Sequence, residues 1–379
     1  MKNLTHCSST ILFYAPLSNQ HNDNVSGDKI IAASFVKLFE GLGYKVLTPS
    51  IFSSRESKGL ASLQTRIVDA SCQEIMRIED SLKSEKPILW VTYHHYHKAP
   101  DLLGSVIAEK FNIPYMLIEA SLNPRERHGD WSVFYPFVEK ALQKADVILS
   151  LNPKDALILD QEGYGEKNIH FPLMMQSQFF QQIDKWLSRE FIADKYSLDA
   201  NKPWILVVAQ MRKHKKYDSY VYLKVSLDLM NNQDYELLII GSGGKESDIR
   251  HCFNAVKQVH FLGIIEPKDM PVYYAASDIF AWPGLGEAMG MVYLEAQAMG
   301  LPVVMDQGSG GRHFVVLNET GFVVQGKQEY ARHLDILLNE GMLRQKMVRK
   351  AQNFVRENYR IEIAEEKMKE CLNACNFYK

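Results

Sequence analysis

The chain has 379 residues, too many for one ordinary core, and two domains of about 150–200 residues are expected. Apolar residues at 46% and charged residues at 23% describe a soluble globular protein, and a formal charge of −2 excludes whole-molecule attraction to nucleic acid or anionic lipid. No run reaches the roughly 18 apolar residues of a membrane span, the N-terminus lacks the layout of a signal peptide, and five scattered cysteines (Cys7, Cys72, Cys252, Cys371 and Cys375) point to a reducing compartment.

In chain order, short apolar runs alternate with longer amphipathic segments. "TILFYA" (10–15) reads as a buried strand, and "KIIAASFVKLFEGLG" (29–43) as a helix closed by glycine before the strand "KVLTP". "PILWVTY" (87–93), "PYMLIEA" (114–120) and "DVILSL" (146–151) continue the pattern, each after helical periodicity. The alternation breaks over 172–203, which ends in the turn cluster Asp-Ala-Asn-Lys-Pro. It then restarts with strands at "WILVVAQ" (204–210), "YELLIIGSG" (235–243), "VHFLGII" (259–265), "DIFAWP" (278–283), "PVVMD" (302–306) and "GFVVQ" (321–325). The tail 342–375 is helical and charged. This describes two doubly wound α/β domains joined near 175–200, with a cleft between them and ligands beyond the carboxyl ends of the strands.

Several stretches carry candidate chemistry. "NVSGDKIIAASF" (24–35) puts Gly27 between the first strand and a helix, where backbone N–H groups can meet a phosphate or acceptor; plain turn geometry is an equal alternative. "WVTYHHYHKAPD" (90–101) clusters His94, His95 and His97, yet no further ligands converge to make a metal site. In "IPYMLIEASLNP", Glu119 follows an apolar run and is an unusual carboxylate for a core, so Glu119 and Ser121 are read as facing a sugar. "VVAQMRKHKKYDSY" (207–220) gathers Arg212, Lys213, His214, Lys215 and Lys216 after a strand, either a solvated face or a diphosphate clamp. A nucleic-acid patch is disfavoured because the run has no basic companion. "IIGSGGKES" (239–247) offers Gly241 and Gly243, a tight turn or a nucleotide-facing one.

The most telling segment is "PGLGEAMGMVYLEAQAMGLPVV" (283–304), with Glu287 and Glu295 separated by seven residues. If the helix begins around Ala288–Gly290, the two carboxylates lie about 12 Å apart along its axis, the span from a hexose across a diphosphate to a ribose. A carboxylate accepts two hydrogen bonds and suits a sugar diol. The N–H groups between them would face phosphates, and Gly286 and Gly290 would let the backbone come close.

This segment, with "GSGGRHFVVLNETGFVV" (308–324) after it, resembles the E-x7-E region of retaining glycosyltransferases of the GT-B fold, family 4. The resemblance implies two Rossmann-like, doubly wound parallel-sheet domains facing across a cleft. Residues 1–175 would form the acceptor side, with the C-terminal helix, about 358–379, packing back on it, and 176–357 the donor side. It implies that Glu287 contacts the transferred sugar and Glu295 the nucleotide ribose, with Ala288, Met289, Gly290 and Met291 near the diphosphate or sugar. Gly241 and Gly243 would shape the nucleotide site, and Gly27 and His94 would line the cleft. Lys215 keeps the family's lysine. Gln210 stands where the family has arginine, so Arg212 would supply that charge from two residues on. A histidine that the family often shows near the sugar is replaced by Glu119-Ala120-Ser121.

The implied activity is transfer of a sugar from a nucleoside-diphosphate sugar to an acceptor hydroxyl with retention, in glycan or envelope polysaccharide or glycolipid synthesis. No cofactor beyond the nucleotide-sugar co-substrate is expected. The chain contains no Asp-x-Asp pair, which fits a metal-independent site. A lipid-linked acceptor would bring peripheral contact with the inner face of the membrane to a cytoplasmic protein, although no decisive amphipathic anchor is visible. Two alternatives remain open, a nucleotide-sugar 2-epimerase of the same fold and a catalytically silent partner subunit. A third, a dinucleotide-dependent oxidoreductase, would need G-x-G-x-x-G after a first strand with an acid about 20 residues on, a spacing that "IIGSGGKES" does not complete.

Overall fold

The computed structural model describes residues 9–17 and 27–374. Cys7, Ser26 and Cys375 lie outside the described residues. The chain folds as two units, one running to Met174 and resuming at Ile361, the other spanning Met175–Arg360.

Unit 1 contains strands β1 (Thr10–Tyr14), β2 (Lys45–Leu47), β3 (Pro87–His95), β4 (Tyr115–Ala120), β5 (Val147–Ser150) and β6 (Asn168–His170). Its helices are α1 (Gly27–Gly41), α2 (Ala61–Ser81), α3 (Gly104–Phe111), α4 (Tyr135–Lys144) and α5 (Pro153–Leu159). The strands lie in the order β2-β1-β3-β4-β5-β6 and every pairing is parallel. β1, β4 and β5 are buried along their whole length, as expected of a parallel sheet covered by helices on both faces. α1 buries Ile31, Phe35, Leu38 and Phe39, one stripe at helical spacing.

Unit 2 begins with α6 (Lys185–Tyr196) and continues with β7 (Trp204–Val208), α7 (Lys215–Asp228), β8 (Glu236–Ile240), α8 (Glu246–Cys252), β9 (Val259–Gly263) and α9 (Met270–Ala276). It is completed by β10 (Ile279–Ala281), α10 (Met291–Ala298), β11 (Val303–Asp306), β12 (Gly321–Val324), α11 (Lys327–Asn339) and α12 (Gly341–Asn358). The strand order is β12-β11-β10-β7-β8-β9, again all parallel. α6 is tied to this sheet by Arg189, which is buried, pairs with Asp278 at 2.9 Å and stacks over Trp204.

The helical tail is two helices rather than one. α12 stays in unit 2, the chain turns at Tyr359–Arg360, and α13 (Ile361–Ala374) belongs to unit 1, where it meets α1. Met175 N–H donates to the Tyr359 carbonyl at 2.9 Å, so the two connections leave unit 2 side by side. Among the described residues no helix is long and apolar enough to cross a membrane.

The strand orders locate the sites. In unit 2 the order reverses between β7 and β10, and in unit 1 between β1 and β3. Loops leaving the carboxyl ends of two such strands diverge to opposite faces and open a crevice where open α/β sheets bind ligands.

Candidate functional site

At the unit 2 crevice, the loop after β7 carries the basic run and the loop after β10 carries Glu287. The structure brings these two together, through Lys216 rather than Lys215. Lys216 Nζ forms an ion pair with Glu287 Oε1, and Trp282 Nε1 donates to the same oxygen at 3.0 Å. Both side chains are largely covered, at 14% exposure for Glu287 and 26% for Lys216, so solvent screens the pair only partly. The backbone of Glu287 is held from both sides. Its N–H donates to the Gly284 carbonyl at 3.1 Å, and its carbonyl accepts from Gly310 N–H at 3.0 Å. Trp282 is in turn packed edge-on by Tyr220 at 4.9 Å.

Lys215 is exposed and opens α7, and its aliphatic stem lies against Gly286. A Cβ at Gly286 would come within 2.7 Å of Lys215 Cβ, and φ is +71°, so only glycine fits there without displacement. The start of α7 has no side-chain cap, and its preceding residue, His214, sits at φ +61°. The start of α10, preceded by Gly290 in the left-handed conformation, is also uncapped. Lys215 and Lys216 stand at the uncapped start of α7, and Arg212 and Lys213 lie in the loop just before it. Arg212 and Lys213 are exposed, and Gln210 is half-buried with its carbonyl accepting from Arg212 N–H.

α10 begins at Met291, later than expected, so Glu287 lies in the preceding turn and only Glu295 is on the helix. The 12 Å axial estimate therefore does not apply, since Met291 to Glu295 covers about 6 Å of rise. Met289 and Gly290 are buried and Ala288 is exposed. Tyr274 OH donates to Glu295 Oε2 at 2.8 Å, and among the described residues no protein donor reaches Oε1. Burial pushes the Glu295 carboxyl up to about 6, with the Tyr274 hydrogen bond opposing. Tyr274 is fully buried and fixed between Phe179 and Phe280.

Gly241 and Gly243 have a backbone explanation. The loop after β7 is laced to the loop after β8 by Ala209 N–H to the Ile240 carbonyl, Met211 N–H to the Ser242 carbonyl, and Lys245 N–H to the Met211 carbonyl. A Cβ at either glycine would run into the carbonyls of Ala209 or Met211. The pair therefore sets how closely the two loops approach one another.

The unit 1 crevice collects different chemistry. Gly27 opens α1, and among the described residues no atom lies within 4 Å of where its Cβ would be. His94 and Glu119 end β3 and β4 with φ of +64° and +55°, a left-handed conformation that costs a non-glycine residue about 1–3 kcal/mol. Glu119 accepts from Tyr93 OH at 3.0 Å. Burial pushes its carboxyl up to about 7, against the pull of His94 and Tyr93. His94 Nδ1 stands 3.6 Å from Asp28 Oδ1. Burial lowers the imidazole, but Asp28 and Glu119 outweigh it and leave the group raised. Ser121 OH donates to Asp155 Oδ1 at 2.8 Å, and burial raises Asp155 as well. The two neighbouring histidines are placed otherwise. His95 is fully buried, accepts from Asp101 N–H at 2.8 Å and is pushed down to about 4 by burial. The His97 ring packs on Trp131. Among the described residues no group of three histidine, cysteine, aspartate or glutamate side chains is placed to hold a metal ion.

Trp282, Tyr274, Asp28, Tyr93 and Asp155 were not singled out from sequence, and Lys216 was read only as one member of the basic run. Lys216 and Trp282 flank motifs that were recognised, and a strand order read from the sequence would have paired them. Asp28, Tyr93 and Asp155 are dispersed over three elements and carry no local pattern.

Residues 188–354 match the sequence model of the family described as glycosyl transferases group 1. The chain is similar to a GDP-mannose-dependent monoacylated alpha-(1-6)-phosphatidylinositol monomannoside mannosyltransferase of Corynebacterium glutamicum, 48% identical over 101 residues, 24% of this chain and 26% of that protein. It is also similar to a GDP-mannose-dependent alpha-(1-6)-phosphatidylinositol monomannoside mannosyltransferase of Mycobacterium tuberculosis, 28% identical over 151 residues, 37% of this chain and 38% of that one. The chain thus spans between a quarter and two fifths of the length of these two relatives. Among solved structures, HepE of Anabaena in complex with UDP superposes with a TM-score of 0.72 at 16% identity, covering 96% of this chain and all of that one. The chain thus has the GT-B fold, and its residues 188–354 match the glycosyl transferases group 1 family.

Proposed function

We propose that this protein is a retaining, metal-independent glycosyltransferase that moves a sugar from a nucleoside-diphosphate sugar to an acceptor hydroxyl, with a lipid-linked glycan as the acceptor class. The observation that carries the reading is the meeting of Lys216, Trp282 and Glu287 at the β7/β10 switch point, with Glu295 on the adjoining helix keeping an Oε1 that no donor among the described residues reaches. The donor belongs to unit 2 and the acceptor to unit 1. Glu295 takes the ribose hydroxyls, and the uncapped starts of α7 and α10 take the diphosphate. Lys215 and Arg212 add positive charge to it. Glu287, held by Lys216 and Trp282, takes hydroxyls of the transferred sugar.

In the reaction the bond from the anomeric carbon to the phosphate oxygen breaks, and the bond to the acceptor oxygen forms on the same face. The acceptor proton passes to the departing phosphate oxygen. The chain positions the reactants and stabilises the charge that develops on the diphosphate. The relatives' GDP-mannose dependence and phosphatidylinositol-mannoside acceptors support a lipid-linked acceptor and make GDP-mannose the first donor to try.

The test is a panel of nucleotide sugars, GDP-mannose and UDP-glucose first, scored by thermal shift and by release of nucleoside diphosphate with and without a lipid-linked glycan, in chelator. The expected result is stabilisation by one donor, slow hydrolysis alone, faster release with acceptor, and an α-linked product from an α-linked donor by NMR. Turnover of donor to an epimer without acceptor, stabilisation by no nucleotide, or activity abolished by chelator would each overturn the corresponding part.

A further inference from the structure

Outside the two crevices, α12 carries a concentration of basic residues. Residues 341–360 contain six basic residues, Arg344, Lys346, Arg349, Lys350, Arg356 and Arg360, against one acid, Glu357, in a chain of net charge −2. Two of the six are committed internally: Arg344 donates to the carbonyls of Leu337 and Leu338, and Lys350 pairs with Glu319 at 3.1 Å. Lys346, Arg349 and Arg356 are exposed, and among the described residues none has a carboxylate partner.

Their spacing makes them a single surface. The inner face of α12 is Met347, Ala351 and Val355, all buried, and it packs on α10 and α11. Positions 342, 346, 349, 353, 356 and 360 recur at intervals of four and three residues on the opposite side, so Lys346, Arg349 and Arg356 form one line flanked by Asn353. Met342 heads that line at 81% exposure, an apolar side chain in open water. Glu357 lies on the shoulder of the stripe, and Glu340 at its start. From Lys346 to Arg356 the line covers about 15 Å of helix rise. Because the apolar face is already used by the core, the helix cannot bury itself in an acyl layer. What remains is a row of three exposed cations without carboxylate partners among the described residues, and with no aromatic side chain in the row for base stacking, which suits a plane of anionic headgroups rather than a nucleic-acid groove.

We propose that the outer face of α12 docks the protein electrostatically on an anionic lipid surface. This deepens the proposed function, since a lipid-linked acceptor resides in such a surface, and it rests on that reading only for its purpose. Binding is local and sensitive to salt, because the chain as a whole is not cationic. Each basic residue near an anionic bilayer multiplies the partition coefficient by about five, so the three together contribute about a hundredfold.

The experiment is co-sedimentation of the full-length protein with vesicles of phosphatidylcholine alone and of phosphatidylcholine mixed with phosphatidylglycerol, without donor or acceptor. The proposal expects binding only to the anionic vesicles, and its loss between about 0.15 M and about 1 M salt. Reversing the stripe, with Lys346→Glu, Arg349→Glu and Arg356→Glu, is expected to weaken binding about a hundredfold. Reversing three exposed basic residues elsewhere, with Lys58→Glu, Arg66→Glu and Lys257→Glu, makes the same change in net charge and is expected to cost only a few-fold. Thermal melts verify that each variant is folded, and the milder pair Lys346→Gln and Arg349→Gln stands in if the triple reversal is not. Equal binding to both vesicle types, no binding to either, or an equal loss from the scattered reversal overturns the proposal. Because no nucleotide enters this assay, its failure is separable from failure of donor binding in the nucleotide-sugar panel.

Discussion

The switch points of the two units are built on the same sheet geometry and hold opposite electrostatics. In unit 2 the acid Glu287 is met by a lysine and an indole N–H, more cations stand beside it, and two helix starts face outward uncapped. In unit 1 three carboxylates, Asp28, Glu119 and Asp155, surround one imidazole, and burial raises Glu119 and Asp155 above their ordinary range. The first is positive charge in excess of the one acid it meets. The second is crowded negative charge that shares protons with His94, suited to accepting hydrogen bonds from hydroxyl groups. The difference teaches that a common fold fixes where a site lies, while loop residues decide the sign of what it binds.

The sharpest break of this contrast is at Glu287. Glu287→Gln keeps the shape, loses the ion pair with Lys216, and is expected to lower kcat about 100- to 1,000-fold, the range for removal of a single electrostatic contact to the reacting centre. Nucleotide affinity should change little, because the diphosphate and ribose contacts remain. A kcat within a few-fold of wild type would detach Glu287 from the chemistry.

Next in size is Glu119, where the effect is on stability and depends on pH. Its carboxyl titrates near 4.5 when unfolded and near 7 when folded, so the folded state favours the protonated form. The stabilisation this gives is complete below about pH 4.5 and is lost as pH rises to about 7. At pH 8 the buried carboxylate costs up to about 3 kcal/mol, because a tenfold change in proton affinity corresponds to about 1.36 kcal/mol. Glu119→Gln should therefore raise Tm at pH 8 and leave it nearly unchanged at pH 4.5. An equal effect at both pH values would mean that the carboxyl is not held proton-rich. Gly286→Ala should act on unit 2 by about 1–3 kcal/mol, from its positive φ and from contact with the Lys215 stem. It should also move Lys215, which a fall in nucleotide affinity at unchanged pH dependence would report.

The same contrast explains what the sequence made legible. Every strand expected from an apolar run is present, because fully buried parallel strands must be continuously apolar, and only the three-residue β6 was passed over. The unit 2 site was largely visible, since Glu287, Glu295 and the basic run lie in two short contiguous segments. What escaped was register at the loop ends. Whether Lys215 or Lys216 turns toward Glu287 depends on where α7 starts, and that is set by His214 at positive φ, which nothing in "RKHKKY" announces. The unit 1 cluster draws one side chain each from α1, β3, β4 and α5. Glu119 betrayed itself as a charge at the end of an apolar run and His94 as one of a histidine cluster, but Asp28 and Asp155, which help set their proton affinities, are brought in by topology alone. The Gly-x-Gly at 241–243 was seen, but its use in bringing two loops together is tertiary information.

The smallest effect tests the finest part of the comparison, the tuning of Glu295 by a neutral donor where Glu287 has a cation. Tyr274 OH holds Oε2 and lowers a carboxyl that burial has pushed up to about 6. A ribose diol requires the ionised form as acceptor, so donor affinity should fall as pH drops through about 6 in the wild type. Tyr274→Phe removes the only opposing influence on that carboxyl, so the midpoint of the fall should move to higher pH. A net hydrogen bond to a charged group contributes about 1.5–3 kcal/mol, which corresponds to an upward displacement of about 1–2 pH units. Well above the displaced midpoint Tyr274→Phe should bind nucleotide within a few-fold of wild type, whereas a purely structural loss would weaken binding at every pH. Nucleotide titrations of both proteins across pH 5–9 separate the two, and a uniform loss would leave Tyr274 as a packing residue and return Glu295 to control by burial alone.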